Sequence, residues 1–592
     1  MRARQITWHA FLFKTDTTMR KILTAILLAT SLCLAAQVQV LRSGSQNVIL
    51  KTQAVAPYLL LPINENAEEC TMQVIVDNQC VQTLLVQLAK QGDIATYVPF
   101  ALDKYDVSSL ALNVYVPQAA LVDSINWNAI QTATSFPYIN TETYRPTYHY
   151  APQYGWMGEP AAALYDAKNK QWNLYYQYNP YGLSWQNMHW GHASSTDMLH
   201  WTTATPSITP TSLGEAYPGS VVADKNNTSG LGKNLLLALY TTAAESQTQS
   251  LAYSKDAGNT FTLYKGNPIL TDTDLESQHP YVFYNDQTQQ WNMVLACGQQ
   301  VKFYASTDLI QWTYLSSFSH ASNSNASWVK PALINLPVRD TKESKWALIV
   351  STTHGAPAGG SGTQYFIGDW DGHHFSVIQD DVTLSVPARW LDYGKDCCGI
   401  TPFTNAPKDR KVVIAWMSNE QYAQQLPTTQ FRSISTLPRE LDIYRDNSNI
   451  YRIGVKPAKE LKNLRGKETE QLHQAAIVEI DVNSNKGTAV VTLSNKQGEA
   501  FIMTLDNEAH TFTMDRRQSG ITDFSENFST VTTAPLLLQQ RTYHITLYID
   551  RCSVEAFDEE GAWAMTNLTF PTVPYTDISV QNAKVKIYDI NY

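Results

Sequence analysis

Tyr154–Trp201 reads YGWMGEPAAALYDAKNKQWNLYYQYNPYGLSWQNMHWGHASSTDMLHW. Within it a polar turn leads into the apolar run Gln171-Trp-Asn-Leu-Tyr-Tyr176, and Ser195-Thr-Asp-Met-Leu-His-Trp201 follows. The run returns as Asn234-Leu-Leu-Leu-Ala-Leu-Tyr240, Gln290-Trp-Asn-Met-Val-Leu295, Lys345-Trp-Ala-Leu-Ile-Val350 and Lys411-Val-Val-Ile-Ala-Trp416. The second mark returns as Ser254-Lys-Asp256 to Phe261, Ser306-Thr-Asp-Leu-Ile-Gln-Trp312 and Gly368-Asp369 to Phe375. Short apolar runs bounded by turn residues read as strands buried on both faces. Copies roughly 55–65 residues apart match a four-stranded propeller blade with its loops. Five copies predict five blades around a central funnel, with Asp197, Asp256 and Asp308 capping the turn amides.

Short alternating strands flank the repeat. Gln46–Lys51, Met72–Val76, Gln82–Leu88 and Ala111–Val116 predict a small β-sandwich-like domain over 37–140, and Phe136–Pro152 reads as a linker. After Pro438-Arg-Glu-Leu441 the period stops; a short helix is expected within Pro457–Gly466 and a second β-sandwich over 467–592. The expected fold is all-β: the N-terminal domain, a five-bladed propeller over 145–455, and the C-terminal sandwich.

Composition narrows the ligand. Charged residues make up 16 % of the chain, while Tyr (32), Trp (15) and Phe (18) abound. Flat apolar rings with few charges suit an uncharged polyhydroxylated ligand, a carbohydrate. A net charge of -10 without a basic run speaks against nucleic acid. Met19-Arg20-Lys21, the apolar run Ile22–Leu34 and Ala35-Ala36-Gln37 predict a signal peptide over 1–36 with its start at Met19, hence export to the periplasm, cell surface or medium. No later run predicts a transmembrane helix. Of the remaining cysteines, a Cys70–Cys80 disulfide is expected, the rest being free and buried.

At the level of motifs the chain resembles glycoside hydrolase family 32, the invertases, inulinases and levanases, over roughly 145–592. Tyr176-Gln-Tyr-Asn-Pro180, Asn187-Met-His-Trp-Gly-His192, Pro218-Gly-Ser-Val221, Asp392-Tyr-Gly-Lys-Asp396, Trp416-Met-Ser-Asn419, Gln421-Tyr-Ala423, Leu437-Pro-Arg-Glu-Leu441 and Asp550–Phe557 match its blocks in order. The resemblance implies a propeller followed by a β-sandwich. It also implies a retaining mechanism with two carboxylates about 5–5.5 Å apart. The nucleophile Asp of WMNDPNG corresponds to Glu159 in Trp156-Met-Gly-Glu-Pro-Ala-Ala162. The stabilising Asp of RDP corresponds to His279, with Gln278 for Arg; the acid/base Glu of ECP corresponds to Val329 in Trp328-Val-Lys-Pro331. Trp156, Gln177, Trp185, Asn187, Ser220 and Gln278 stand at sugar-facing positions. His189 and His192 are structural in that motif, and neither metal nor cofactor is implied.

Glu159 keeps the charge but lengthens the arm by one methylene, and a shift of about 1 Å costs on the order of a hundredfold in rate. Valine cannot supply the proton, a loss of about 10²–10⁴-fold. Lys330 points away from Val329 if the strand is regular, and Asp392 is read as a folding residue. The expectation is an exported carbohydrate-active protein that recognises a fructan of levan, inulin or sucrose type, with catalysis lost. Two alternatives stand: an O-glycosyl hydrolase of β-fructofuranosidase or levanase type using Glu159 with His279 or Glu276 as acid, or a structural partner of a fructanase that binds no sugar.

Overall fold

The computed structural model describes residues 38–53, 56–136, 138, 140–244, 246–271, 277–320, 326–378 and 389–592. The signal segment and Glu276 lie outside them. The chain divides into two compact units, Met1–Tyr138 and Ile139–Tyr592, and no helix among the described residues is long and apolar enough to cross a membrane.

The first unit holds two antiparallel sheets. One runs Gln39–Arg42, Asn47–Lys51, Leu110–Tyr115, Cys70–Val76, Gln79–Val86 in spatial order; the other runs Thr96–Ala101, Tyr58–Ile63, Gln131–Ala133. Alternate residues Val48, Leu50, Met72, Val74, Leu84, Val86, Leu112 and Val114 are buried, the period-two pattern of strands with one face on a core. The expected Cys70–Cys80 disulfide is absent. Cys70 pairs with Val86 and Cys80 with Ile75, at opposite ends of their hairpin, and both thiols are free. Cys80 is also exposed rather than buried.

In the second unit five blades form the ring. Their inner strands are Gly155–Asp166, Glu215–Asp224, Ser277–Asn285, Trp328–Pro337 and Cys398–Thr404. Each pairs antiparallel with the strand carrying one repeat copy: Gln171–Asn179, Leu235–Ala243, Gln290–Cys297, Ser344–Thr352 and Val412–Met417. These second strands are buried on both faces between neighbouring blades, which is why they read as continuous apolar runs. The first inner strand pairs parallel with the last, Ala163 with Phe403 and Leu164 with Thr404, which closes the ring. Asp197 and Asp308 each accept two backbone N–H groups at a blade turn, and Asp256 accepts the amide of Thr260, as expected.

The sandwich that follows has a six-stranded and a five-stranded sheet enclosing Val478, Leu493, Phe501, Met503, Leu547, Val554 and Trp563. A 3₁₀ turn at Lys459–Leu464 buries Leu461 and Leu464 ahead of it. Residues 140–152, expected as a linker, are instead a buried strap. Its Tyr148 hydroxyl donates to Ile549 O at 2.8 Å, and His149 sits between Asp550 and Glu555, 2.9 Å from each, with all three side chains fully buried. Arg439 pairs with Asp392 (2.7 Å) and Glu555 (2.6 Å), and Arg516 with Asp396 (2.5 Å). Asp392 is therefore a folding residue, as expected. These paired buried charges fix the sandwich to the last blade, since removing one partner leaves the other uncompensated.

Candidate active site

The five inner strands share one irregularity at one level. In each, two residues stand opposite one residue of the second strand: Gly158-Glu159, Tyr217-Pro218, His279-Pro280, Lys330-Pro331 and Gly399-Ile400. These are β-bulges, which bend a strand and re-aim its side chains, and they favour the neighbourhood of active sites. His279 and Lys330 take positive φ of 59° and 48°, in the left-handed region costly for residues with a Cβ. Gly399 takes the equivalent conformation (φ 70°), and a Cβ there would lie 2.7–2.8 Å from the Cβ, Cγ and Cδ of Glu159. That glycine makes room for the glutamate.

Hydrogen bonds from two of the bulged inner strands to the inner or second strand of a neighbouring blade hold the bulges in place. Val282 N donates to Ser220 Oγ (3.0 Å), His279 N to Thr241 Oγ1 (2.8 Å), Gly399 N to Ser351 Oγ (2.9 Å) and Thr401 Oγ1 to Pro160 O (3.0 Å). Ser220, expected to face a sugar, thus accepts a backbone N–H and lines the axial channel. A small space of about 10 Å³, about what one water needs, lies among Ser220, His279 and Lys330.

Glu159 is buried, with 8 % of its surface exposed. Burial raises its carboxyl above the ordinary range, while the Lys330 ammonium and the Cys398 thiol, 3.6 Å from Oε1, oppose that rise. Lys330 does not point away from the site. The bulge breaks the alternation, and its Nζ reaches under the first blade to donate to Ala161 O at 3.1 Å. Burial lowers the Lys330 pKa and Glu159 sustains it. Glu159 is therefore a buried glutamate that feels the charge of a lysine from the fourth blade.

Neither His279 nor Val329 is charged near pH 7. His279 Nδ1 accepts the Lys330 N–H (3.3 Å), so Nε2 carries the hydrogen, and it is buried without a partner among the described residues. Burial, then the Lys330 charge, holds the imidazole well below its ordinary pKa of 6.5. It is neutral near pH 7. Val329 is buried and lacks an ionisable group.

Aromatic and amide groups gather beside Glu159. Trp156 is buried against Trp416 with ring centroids 6.1 Å apart, its Nε1 without a partner among the described residues, and Trp416 Nε1 donates to Met157 O at 3.0 Å. A Cβ at Gly158 would lie 2.8 Å from Gln177 Oε1 and 3.3 Å from Trp156 Nε1, so these three residues converge. Trp185 is 41 % exposed and meets Tyr217 edge-on at 5.6 Å, and Tyr217 in turn contacts the His279 ring at 6.3 Å. Asn187 is less free than expected, because its Nδ2 donates to Asn179 Oδ1 at 3.2 Å. Gln278 is half-buried immediately before the third bulge.

Sequence reasoning missed Glu420. It stands between Trp416–Asn419 and Gln421–Ala423, and a carboxylate separating two matched blocks was the available signal. Glu420 is open to solvent, yet enclosure by protein, and after it the charge of Glu159, push its carboxyl up to about 8. A cavity of about 930 Å³ lies elsewhere, near the ends of the inner strands around Asn285, Asn335 and Thr404. It shares none of the site residues, so volume alone points away from the chemistry.

Comparison with known proteins agrees with this fold. Residues 149–453 match the model of the Glycosyl hydrolases family 32 N-terminal domain, residues 440–592 that of the family 32 C terminal, and residues 44–148 a Domain of unknown function (DUF4980). The levanase of Bacillus subtilis (strain 168) is 35 % identical over 459 residues, 73 % of this chain and 67 % of its own length. The extracellular exo-inulinase of Meyerozyma guilliermondii is 34 % identical over 480 residues, 74 % of this chain and 92 % of its own. Among solved structures, the exo-inulinase of Aspergillus awamori superposes with a TM-score of 0.71 at 28 % identity, over 77 % of this chain and 99 % of its own. The fructofuranosidase of Schwanniomyces occidentalis complexed with fructose gives 0.69 at 28 %, over 77 % of this chain and all of its own. With both of its halves matched across residues 149–592, the chain belongs to glycoside hydrolase family 32.

Proposed function

We propose that this protein recognises fructose-containing glycans in the propeller funnel and has lost its family's own route of cleavage. One observation carries the loss: the acid/base position is Val329, buried and without a proton to give. The other two motif positions support it, as Glu159 faces Lys330 and His279 is neutral. Retained recognition is supported by Trp156 and Gln177, which converge at Gly158 beside Glu159, and by the exposed ring of Trp185, since a flat open face suits a sugar. Relatives named as levanase and exo-inulinase, and a structural neighbour bound to fructose, make fructosides the ligand class. Export is part of the reading, from the Met19–Gln37 signal pattern and from extracellular relatives.

Titration calorimetry of the full chain with sucrose, inulin-type and levan-type oligosaccharides tests recognition. Binding that is weakened at least about tenfold by Trp185→Ala, a loss of roughly 1.4 kcal/mol, is expected. No heat with any of these sugars sinks recognition and favours the structural partner of a fructanase.

A further inference from the structure

The inner strands continue past their bulges to a second concave region. Ala223, Asn285, Asn335 and Thr404 each stand four or five residues beyond the bulge of their own strand. At about 3.3 Å per residue that is roughly 13–17 Å along the strand. These residues line the cavity of about 930 Å³, and no part of its wall comes from the first blade or the Glu159 site. Sites for small molecules span about 300–1,000 Å³, so this cavity lies in the upper part of that range.

Rings and unpaired polar groups alternate on the wall. Phe283 and Trp346, both half-buried, meet with centroids 5.6 Å apart. Tyr284 is 43 % exposed and meets Trp291 edge-on at 5.2 Å. Asn285 is 4 % exposed; its Oδ1 accepts Gln287 N at 3.0 Å, while its Nδ2 has no partner among the described residues. The Trp291 Nε1–H is buried in the same state. Nor, among the described residues, does a hydrogen bond reach the Asn335 amide or the Tyr281 hydroxyl on the same wall. Buried polar groups are nearly always hydrogen-bonded, so unpartnered ones lining a cavity of this size call for a ligand that pairs with them.

The charges narrow the ligand. Arg410 pairs with Glu440 (2.5 Å) and Glu460 (2.7 Å), Lys411 with Asp409 (2.6 Å), and Lys225 donates to Asn405 Oδ1 at 3.1 Å. The cations of the wall are thus engaged, which disfavours an anion. Flat rings set among amides and a hydroxyl suit a neutral polyhydroxylated molecule, whose C–H face packs on a ring while its hydroxyls pair with the amides.

We propose that this cavity is a second carbohydrate site, which holds an uncharged oligosaccharide against the Phe283–Trp346 pair and performs no chemistry on it. Asn285, Asn335 and Tyr281 supply the hydrogen bonds to its hydroxyls. The site shares no residue with the funnel, so the two recognition readings fail separately.

Titration calorimetry of the full chain with tetrasaccharides of the inulin, levan, malto and cello series tests it. One binding event is expected to weaken at least about tenfold in Trp346→Ala and to stay unchanged in Trp185→Ala. Asn335→Leu keeps the bulk of the side chain and removes its amide. It is expected to weaken the same event while keeping the native urea midpoint, which separates lost contacts from a damaged fold. Affinities that neither Trp346→Ala nor Asn335→Leu changes overturn the second site. A loss in Trp346→Ala with native affinity in Asn335→Leu marks a packing defect and overturns it as well. If Trp346→Ala weakens all binding and Trp185→Ala none, the second site stands and recognition in the funnel falls. No heat with any tetrasaccharide overturns both.

Discussion

His149→Gln probes the strap that joins the last blade to the sandwich. His149 lies between Asp550 and Glu555, 2.9 Å from each, with no side chain of the three exposed. Burial alone would lower its pKa, but the hydrogen bonds and charges of the two carboxylates win, and the imidazole is pushed up to about 9 from 6.5. At about 1.4 kcal/mol per tenfold, that rise stabilises the fold by about 3 kcal/mol. A raised histidine contributes fully below its unfolded pKa, so the stabilisation is complete below about pH 6 and is lost as pH rises through about 9. Replacing it with glutamine also leaves Asp550 without its cation, while Glu555 keeps Arg439, a cost of about 3–5 kcal/mol for a broken buried pair. Urea unfolding of native and variant chains, followed by tryptophan fluorescence at pH 6 and pH 10, measures the difference. The variant is expected to be about 3–5 kcal/mol less stable at pH 6 and to close most of that gap by pH 10. A gap that is the same at both pH values refutes the charged clamp.

Two further changes address the site. Gly399→Ala places a methyl 2.7–2.8 Å from the Glu159 side chain at a backbone angle that disfavours alanine, so Glu159 must move. Sugar binding by calorimetry is expected to weaken at least about tenfold, and unchanged affinity would show that Glu159 does not shape the pocket. The triple change Glu159→Asp, His279→Asp, Val329→Glu restores the three carboxylates and is expected to raise sucrose hydrolysis on the order of 10²-fold over the native chain. Failure to do so would mean that Lys330 and the bulged strands have rebuilt the pocket beyond the motif residues.

Much of the fold was legible in the chain because its physical cause is local. The second strand of each blade is buried on both faces, so Leu235–Ala243 and Gln290–Cys297 must be apolar along their length, and a five-fold run with turn residues between copies follows. The blade-turn aspartates were legible for the same reason, since each caps amides within four residues of itself. The Phe136–Pro152 segment misled: its prolines read as a linker, while its buried partners Asp550 and Glu555 lie more than four hundred residues away.

The sequence by itself determined the ring of blades and the sandwich, both of which depend on residue type and short-range pattern. Tertiary structure alone decided what surrounds Glu159. Lys330 enters the site only because a bulge breaks strand alternation, and it meets Ala161 across 169 residues of chain. Cys398 reaches Glu159 across 239 residues. Such neighbours are created by ring closure, which brings the first strand beside the last, and no periodicity in the chain encodes that distance.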